Sequence, residues 1–306
     1  MFKKLTLSLL LLSLAGCAER APQTHFEAPD ITRWAKADAD LVQLLSVEPN
    51  ECLPSMSQNA DLQAIALGRM AFRSPFLLGG QATRRGLTCQ ACHSQGARNE
   101  NFFITGMSDE PGTADVSNFH FSDELGDEVF NPSPIPSLSD DIRVVDYDPN
   151  KTDFEEFILK LITKEFSGAN PSPEIKDALL TYLRQLDDSY CTDKTLIGAD
   201  LLAFKIKVIE QSFTALEQNA FTVKTQTFLA AALRVELGRL HTRFPNTKSV
   251  QSGLASISQH LNSRGGDISQ DQITQAAQKW SALAPDIANF YEDSLFNPAA
   301  IARWAP

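Results

Sequence analysis

The spacing of apolar residues along most of the chain is that of amphipathic helices. Apolar positions recur at steps of three and four over residues 59–72, 153–164 and 172–186, and again throughout the last third of the chain. The C-terminal stripes are Leu202, Ile206, Ile209, Phe213 and Leu216; Leu229, Leu233, Leu237 and Leu240; Val250, Leu254, Ile257 and Leu261; and Ile273, Ala277 and Trp280. The pattern therefore predicts an all-α fold that ends in a helical bundle.

Capping and breaking residues set the ends of several predicted helices. Ser172 followed by Pro173 is an N-cap and first-turn pair, and Ser269 is placed to cap the last long helix. Pro285 is expected to break that helix. Gly68 lies inside the first predicted helix, where glycine is unfavourable unless another segment must approach closely.

Residues 94–150 lack this periodicity and are rich in Gly, Pro, Asp, Ser and Asn, which predicts a long loop region. We accordingly divide the chain into a signal peptide (1–17), a tether with one short helix near Trp34 (18–45), a first helical domain with long loops (46–190) and a helical bundle (191–306).

The first residues have the pattern of an export signal. Lys3 and Lys4 precede an apolar run at 5–14, which is too short for a permanent membrane span. Residues 14–17, Leu-Ala-Gly-Cys, resemble a bacterial lipobox, which implies that Cys17 is lipidated. By the same resemblance, Ala18 implies sorting to the outer membrane. The expected location is the periplasm or cell envelope, with a lipid anchor; an ordinary secretory peptide is the alternative.

Cys89-Gln90-Ala91-Cys92-His93 reads C-x-x-C-H, the attachment signature of a c-type haem. Two thiols three positions apart can each add to one vinyl group, and the adjacent imidazole can bind the iron. A zinc site needs a second pair of ligands at similar spacing, and a thioredoxin-like C-x-x-C needs a βαβ context; the chain has neither pattern. We predict one covalent haem c, held by Cys89, Cys92 and His93.

Two cysteines remain once Cys17, Cys89 and Cys92 are assigned. In an oxidising compartment, Cys52 and Cys191 are candidates for one disulfide, which would join the chain just before the haem segment to the chain just after it. Two free thiols are the alternative.

The net charge of −11 argues against nucleic acid as a partner, because phosphates would be repelled. It is compatible with a basic redox partner protein in the cell envelope.

Four segments are notable together: Leu67-Gly68-Arg69-Met70-Ala71-Phe72, then Ser74-Pro75, the C-x-x-C-H motif, and Asn131-Pro132 through Pro136-Ser137-Leu138. In this order they resemble the N-terminal haem domain of bacterial di-haem cytochrome c peroxidases. The resemblance covers roughly residues 67–138, and no second C-x-x-C-H follows. Similarity to small c-type cytochromes implies that Gly68 lies where the first and last helices of the domain cross.

The same resemblance implies that His120 is the second axial ligand of the iron, although its distance from His93 along the chain is longer than in the family. Met107, a thioether that would raise the haem potential, is the alternative, and an open sixth position is a third. His241 and His260 are expected to be solvated or capping residues near helix ends.

These observations predict an electron-transfer protein. The alternatives are a peroxidase-like enzyme or a haem-based peroxide or gas sensor, and an envelope interaction module acting through the bundle. Arg84, Arg85 and Arg98 lie near the motif, where they are expected to be propionate partners or surface charges, or to polarise a bound peroxide.

Overall fold

A computed structural model describes residues 29–55, 59–118, 121, 126–139 and 153–304, without the side chains of 59–61. The predicted all-α class is confirmed. Eleven α-helices lie in this part of the chain: α1 (Leu41–Ser46), α2 (Asn59–Arg73), α3 (Gly80–Arg85), α4 (Cys89–Cys92), α5 (Phe154–Lys160), α6 (Pro173–Gln185), α7 (Ala199–Glu217), α8 (Val223–Thr242), α9 (Lys248–His260), α10 (Gln270–Ile287) and α11 (Pro298–Trp304).

Within the described ranges, four short strands form two antiparallel pairs: β1 (Val47–Pro49) with β4 (Thr195–Ile197), and β2 (Thr113–Ala114) with β3 (Ser133–Pro134). A π-helical segment, Leu161–Glu165, continues α5. The β2–β3 pair lies within the region predicted to be loops.

The predicted helix starts are confirmed. The Ser172 hydroxyl accepts a hydrogen bond from the amide of Ile175 at 3.4 Å, and Ser269 forms a capping box with Gln272. The expected break at Pro285 is wrong, because α10 continues to Ile287. Pro285 has no amide to bond to the carbonyl of the residue four positions earlier, but α10 loses only this one hydrogen bond and its last residues stay helical.

Helices α2 and α6 cross in close contact at Gly68. A Cβ atom on Gly68 would lie 2.1 Å from the carbonyl oxygen of Ala178 and 2.8 Å from Cβ of Tyr182. Only a residue without a side chain allows the two backbones to approach this closely. The predicted crossing at Gly68 is thus present.

The long C-terminal helices pack in a ring, α7 against α8, α8 against α9, α9 against α10 and α10 against α7. Helix α2 also packs against α7 and α8. One buried apolar cluster, here called the main core, therefore extends from α2 and α6 into this bundle. The segment with the C-x-x-C-H motif and the C-terminal helices share their core.

The chain is joined across the motif segment by a disulfide between Cys52 and Cys191, which are 139 positions apart. The neighbouring β1–β4 pair and a hydrogen bond from the Asp187 amide to the Cys52 carbonyl, at 3.0 Å, hold the same two segments together. This is the pairing that the cysteine pattern predicts.

The described part of the predicted tether packs against the rest of the protein. Trp34 lies in a 3₁₀ turn, Asp30–Trp34, is buried and stacks on Phe102 with ring centroids 6.2 Å apart. None of the helices in the described ranges is both long enough and apolar enough to cross a membrane.

Candidate functional site

The C-x-x-C-H motif forms one short helical turn, α4, followed by His93. The Thr88 hydroxyl caps this turn by accepting a hydrogen bond from the Ala91 amide at 3.2 Å, and the His93 amide donates to the Cys89 carbonyl at 2.8 Å. Residues three positions apart on a helix lie on the same face. The turn therefore presents both thiols on one side and places the imidazole directly after them.

The imidazole of His93 is oriented by a backbone carbonyl. Its Nδ1 lies 3.0 Å from the carbonyl oxygen of Pro136, and because that oxygen only accepts, Nδ1 carries the hydrogen. Burial lowers the pKa of His93 to about 4, although the hydrogen bond to Pro136 acts in the opposite direction. The ring is thus neutral, with the lone pair of Nε2 available to a metal.

The two thiols are free, half-buried and in contact with apolar surroundings. Cys89 packs against the main core, and burial raises its pKa to about 12. Burial, with Cys89 and Glu165 adding to it, also raises the pKa of Cys92.

Cys92 packs against a second apolar cluster, here called the loop cluster, half of whose buried members come from the region after the motif. Its buried members are Trp34, Leu78, Ala82, Leu87, Ala91, Phe102, Met107, Ala114, Phe121 and Ile135. A c-type haem requires two thiols for covalent attachment and a neutral imidazole to bind the iron, beside an apolar surface for the porphyrin. The motif and the loop cluster provide these groups. The residues present therefore fit this group.

Met107 and His120, the two candidates for the second axial position, differ in what the structure describes. Met107 is fully buried in the loop cluster that Cys92 contacts, and its carbonyl accepts from the Asp115 amide at 2.7 Å. His120 lies outside the described residues, as does Cys17. Phe121, next to His120, is buried and packs edge-on against Phe166 at 5.7 Å.

The other predicted residues lie at the surface or at helix ends. Arg84 and Arg85 are exposed on α3, and Arg98 pairs with Glu100 at 2.8 Å. His241 is in the last turn of α8, and His260 ends α9 with its Nδ1 2.8 Å from the Ser256 carbonyl oxygen.

Glu165 is a residue of this region that the sequence pattern did not identify. It ends the π-helical segment, is partly buried and is close enough to Cys92 to raise the pKa of that thiol. Burial raises the pKa of Glu165 to about 7, with Lys160 opposing the shift. The only sequence signal is a carboxylate directly after an apolar helical stripe, which is too common to be diagnostic.

A buried polar network supports the crossing of α2 and α6, and the sequence pattern did not identify it either. Arg69 makes an ion pair with Glu51 at 2.6 Å, and the Tyr182 hydroxyl donates to the same carboxylate at 2.9 Å. Burial alone would raise the pKa of Glu51, but Arg69, Arg73 and the Tyr182 hydrogen bond hold it below its usual range. The network joins the segment after β1 to both helices that flank the motif.

Among the described residues, no group of three or more His, Cys, Asp and Glu side chains is arranged to hold a metal ion. In comparisons with protein-family models, curated proteins and solved structures, nothing matches this chain.

Proposed function

We propose that this protein is an exported, lipid-anchored, mono-haem c-type cytochrome that transfers electrons. The observation that carries the proposal is the C-x-x-C-H turn in which the His93 ring is held by the Pro136 carbonyl. A metal-binding histidine usually donates its second ring nitrogen to a carbonyl or carboxylate, which fixes the tautomer and the ring orientation. His93 has this arrangement, and both thiols lie on the same turn.

In this proposal, residues 46–190 are a c-type cytochrome domain with long loops. The close α2–α6 crossing at Gly68 supports it, because similarity to small c-type cytochromes implies such a crossing. Cys89 and Cys92 would hold haem c through thioether bonds, and His93 would bind the iron through Nε2. When bound, the haem supplies a one-electron redox couple.

The chain's own residues have distinct roles in this function. Pro136 orients His93, and the apolar loop cluster excludes water from the side of the motif that Cys92 faces. A second protein ligand, His120 or Met107, would keep the coordination unchanged between redox states; the burial of Met107 supports its candidacy. The redox partner would be a protein of the cell envelope, and lipidated Cys17 would anchor the chain to the outer membrane.

One observation favours a second function, a peroxidase-like enzyme or a peroxide or gas sensor with an open sixth position. Glu165 is a partly buried carboxyl close to Cys92, with its pKa raised to about 7 by burial. A group with that pKa can both accept and donate a proton near neutral pH. Electron transfer remains the leading proposal because it requires only the C-x-x-C-H motif and the residues that orient it.

The test is the EPR spectrum of the ferric protein, expressed with a c-haem maturation system. We expect covalent haem on a denaturing gel and a low-spin signal. His93→Ala should abolish that signal, whereas His260→Ala, which removes an imidazole from the end of α9, should leave it unchanged. His120→Ala and Met107→Ala then identify the second ligand by which of them converts the iron to high spin.

Two results would contradict the proposal. A protein without covalent haem after maturation would overturn the cofactor assignment. A dominant high-spin signal in the unmutated protein would instead favour the enzyme or sensor, and Glu165→Gln should then change its reaction with peroxide.

A further inference from the structure

We propose that a small cavity beside the Cys89–Cys92 turn binds a small monovalent oxyanion, such as a carboxylate or nitrate, through the guanidinium group of Arg243. Anion binding at this site would be separate from electron transfer and would not require haem attachment. We call the site the cationic cavity.

The cationic cavity lies between the C-x-x-C-H turn and the C-terminal helices. Gln90 and Ser94 line it on one side and Ile209 on the other, and its volume is about 90 Å³. One water needs roughly 10–15 Å³ of such space, so the cavity has room for several water-sized atoms. Asp30 and Arg239, which pair at 3.3 Å, are the most exposed charges of its described lining, and the cavity is reached from solvent beside them.

The charges that line the cavity do not cancel. Among the lining residues that the structure describes, the cations are Arg73, Lys205, Arg239 and Arg243, and the carboxylates are Asp30, Glu48 and Glu236. Four positive groups therefore face three negative ones. Buried charges are unfavourable unless they are paired, so this excess of one positive charge favours binding of one monovalent anion.

The buried carboxylates are already used by other cations. Glu48 accepts from Lys205 at 2.5 Å and is also hydrogen-bonded by Gln95 at 3.1 Å. Glu236 pairs with Arg239 and lies 3.9 Å from Nη1 of Arg73.

Among the described cations of the lining, Arg243 is the one that makes no ion pair with a carboxylate. It is buried, and its Nε and Nη2 donate to the Leu295 carbonyl at 3.2 and 2.7 Å, while Nη2 also donates to the carbonyl of Leu45. Its guanidinium lies 4.1 Å from the ring centroid of Phe296. Within the described ranges, no carboxylate lies within ion-pair distance of Arg243, and its Nη1 makes no hydrogen bond. Burial accordingly lowers its pKa to about 10, with Glu48 opposing the shift.

Arg73 provides a second unused donor in the same cavity. Its side chain is 2% exposed, and its Nη1 makes no hydrogen bond to the part of the chain that the structure describes. Guanidinium groups match planar oxyanions through paired N–H···O bonds. Two guanidinium groups with unused N–H bonds thus suit a planar oxyanion, and the one excess positive charge of the described lining suits a monovalent one.

The test uses the full chain and sodium nitrate, titrated at constant ionic strength against sodium gluconate, whose anion has more atoms than the cavity accommodates. Calorimetry should show saturable binding at one site, and the melting temperature should rise with nitrate concentration, since a ligand that binds only the folded state stabilises it. The Soret absorbance is followed in parallel, because binding at an iron would change it whereas binding in the cavity should not.

Matched variants localise the site. Arg243→Gln should weaken nitrate binding by at least about tenfold, because it removes a charge-assisted donor. Arg264→Gln removes the same charge from an exposed loop and should bind as the unmutated protein does. Should Arg243→Gln fail to fold, Arg73→Gln should still weaken binding. An unmutated protein without saturable binding, or variants of Arg243 and Arg73 that bind nitrate normally, would mean that the cavity holds only water.

Discussion

Replacing Gly68 by alanine tests the packing that supports the motif turn. The new Cβ would lie 2.1 Å from the Ala178 carbonyl oxygen, whereas an ordinary contact is at least 3.4 Å, so α2 and α6 would have to separate by about 1.3 Å at this point. The obstacle is backbone, which cannot rotate away. A gap of this size removes much of the dispersion energy between the surfaces that it separates.

The magnitude follows from two opposing effects. Overpacking typically costs about 1–3 kcal/mol, and contact with backbone between two buried helices corresponds to the upper end. Replacing a helical glycine by alanine gains about 1 kcal/mol of helix propensity. We therefore expect Gly68→Ala to lower the free energy of unfolding by about 2 kcal/mol.

The assay is urea denaturation followed by circular dichroism. Gly238→Ala is the matched control, because Gly238 lies in the interior of α8 and a Cβ atom added there would have no neighbouring atom within 4 Å. It should raise the free energy of unfolding by up to about 1 kcal/mol. If both variants are equally stable, the close crossing is absent and the reasoning fails.

Three further variants are expected to change stability. Cys52→Ser with Cys191→Ser should cost about 2–5 kcal/mol in urea, because the disulfide closes a loop of 139 positions; a reductant should destabilise the unmutated protein but not the variant. Glu51→Gln should cost about 3 kcal/mol by leaving Arg69 without its buried counter-charge, and equal denaturation midpoints would contradict this. Because the pKa of Glu51 is lowered in the folded state, the stability it contributes is present above pH 4.5 and lost as the pH falls further, a loss that the variant should lack. For Glu165 the sign is opposite: burial raises its pKa from 4.5 to about 7, so its contribution is present below pH 4.5 and lost as the pH rises through 7. Glu165→Gln should therefore flatten the decline in stability between about pH 5 and 8, and parallel pH profiles would show that Glu165 is not responsible.

The helices could be predicted because their apolar periodicity is a local signal. The disulfide could be predicted because the chain has few cysteines. A stripe such as Leu229, Leu233 and Leu237 defines a buried face without knowledge of what covers it, and all three are buried. Cys52 and Cys191 could be paired because the sequence motifs predict other roles for the remaining three cysteines.

The polar interior could not be predicted in this way. Arg69 and Glu51 form an ion pair only because α2 passes the segment after β1. Arg243 follows the last residue of α8, and the end of that helix places it where no described carboxylate pairs with it. The spacing of residues along the chain does not predict such long-range contacts. The same holds for His93 and Pro136, which are 43 positions apart, although the motif itself identified the histidine.

The disulfide that spans the motif has a consequence for biogenesis. If the chain is exported from its N-terminus, as proposed above, then of these four cysteines Cys52 reaches the oxidising compartment first, followed by Cys89 and Cys92, and Cys191 last. Thiol–disulfide exchange would therefore offer Cys52 two incorrect partners before the native one. Thioether formation at Cys89 and Cys92 would remove both competitors, so early cofactor attachment would direct the oxidative folding of the rest of the protein.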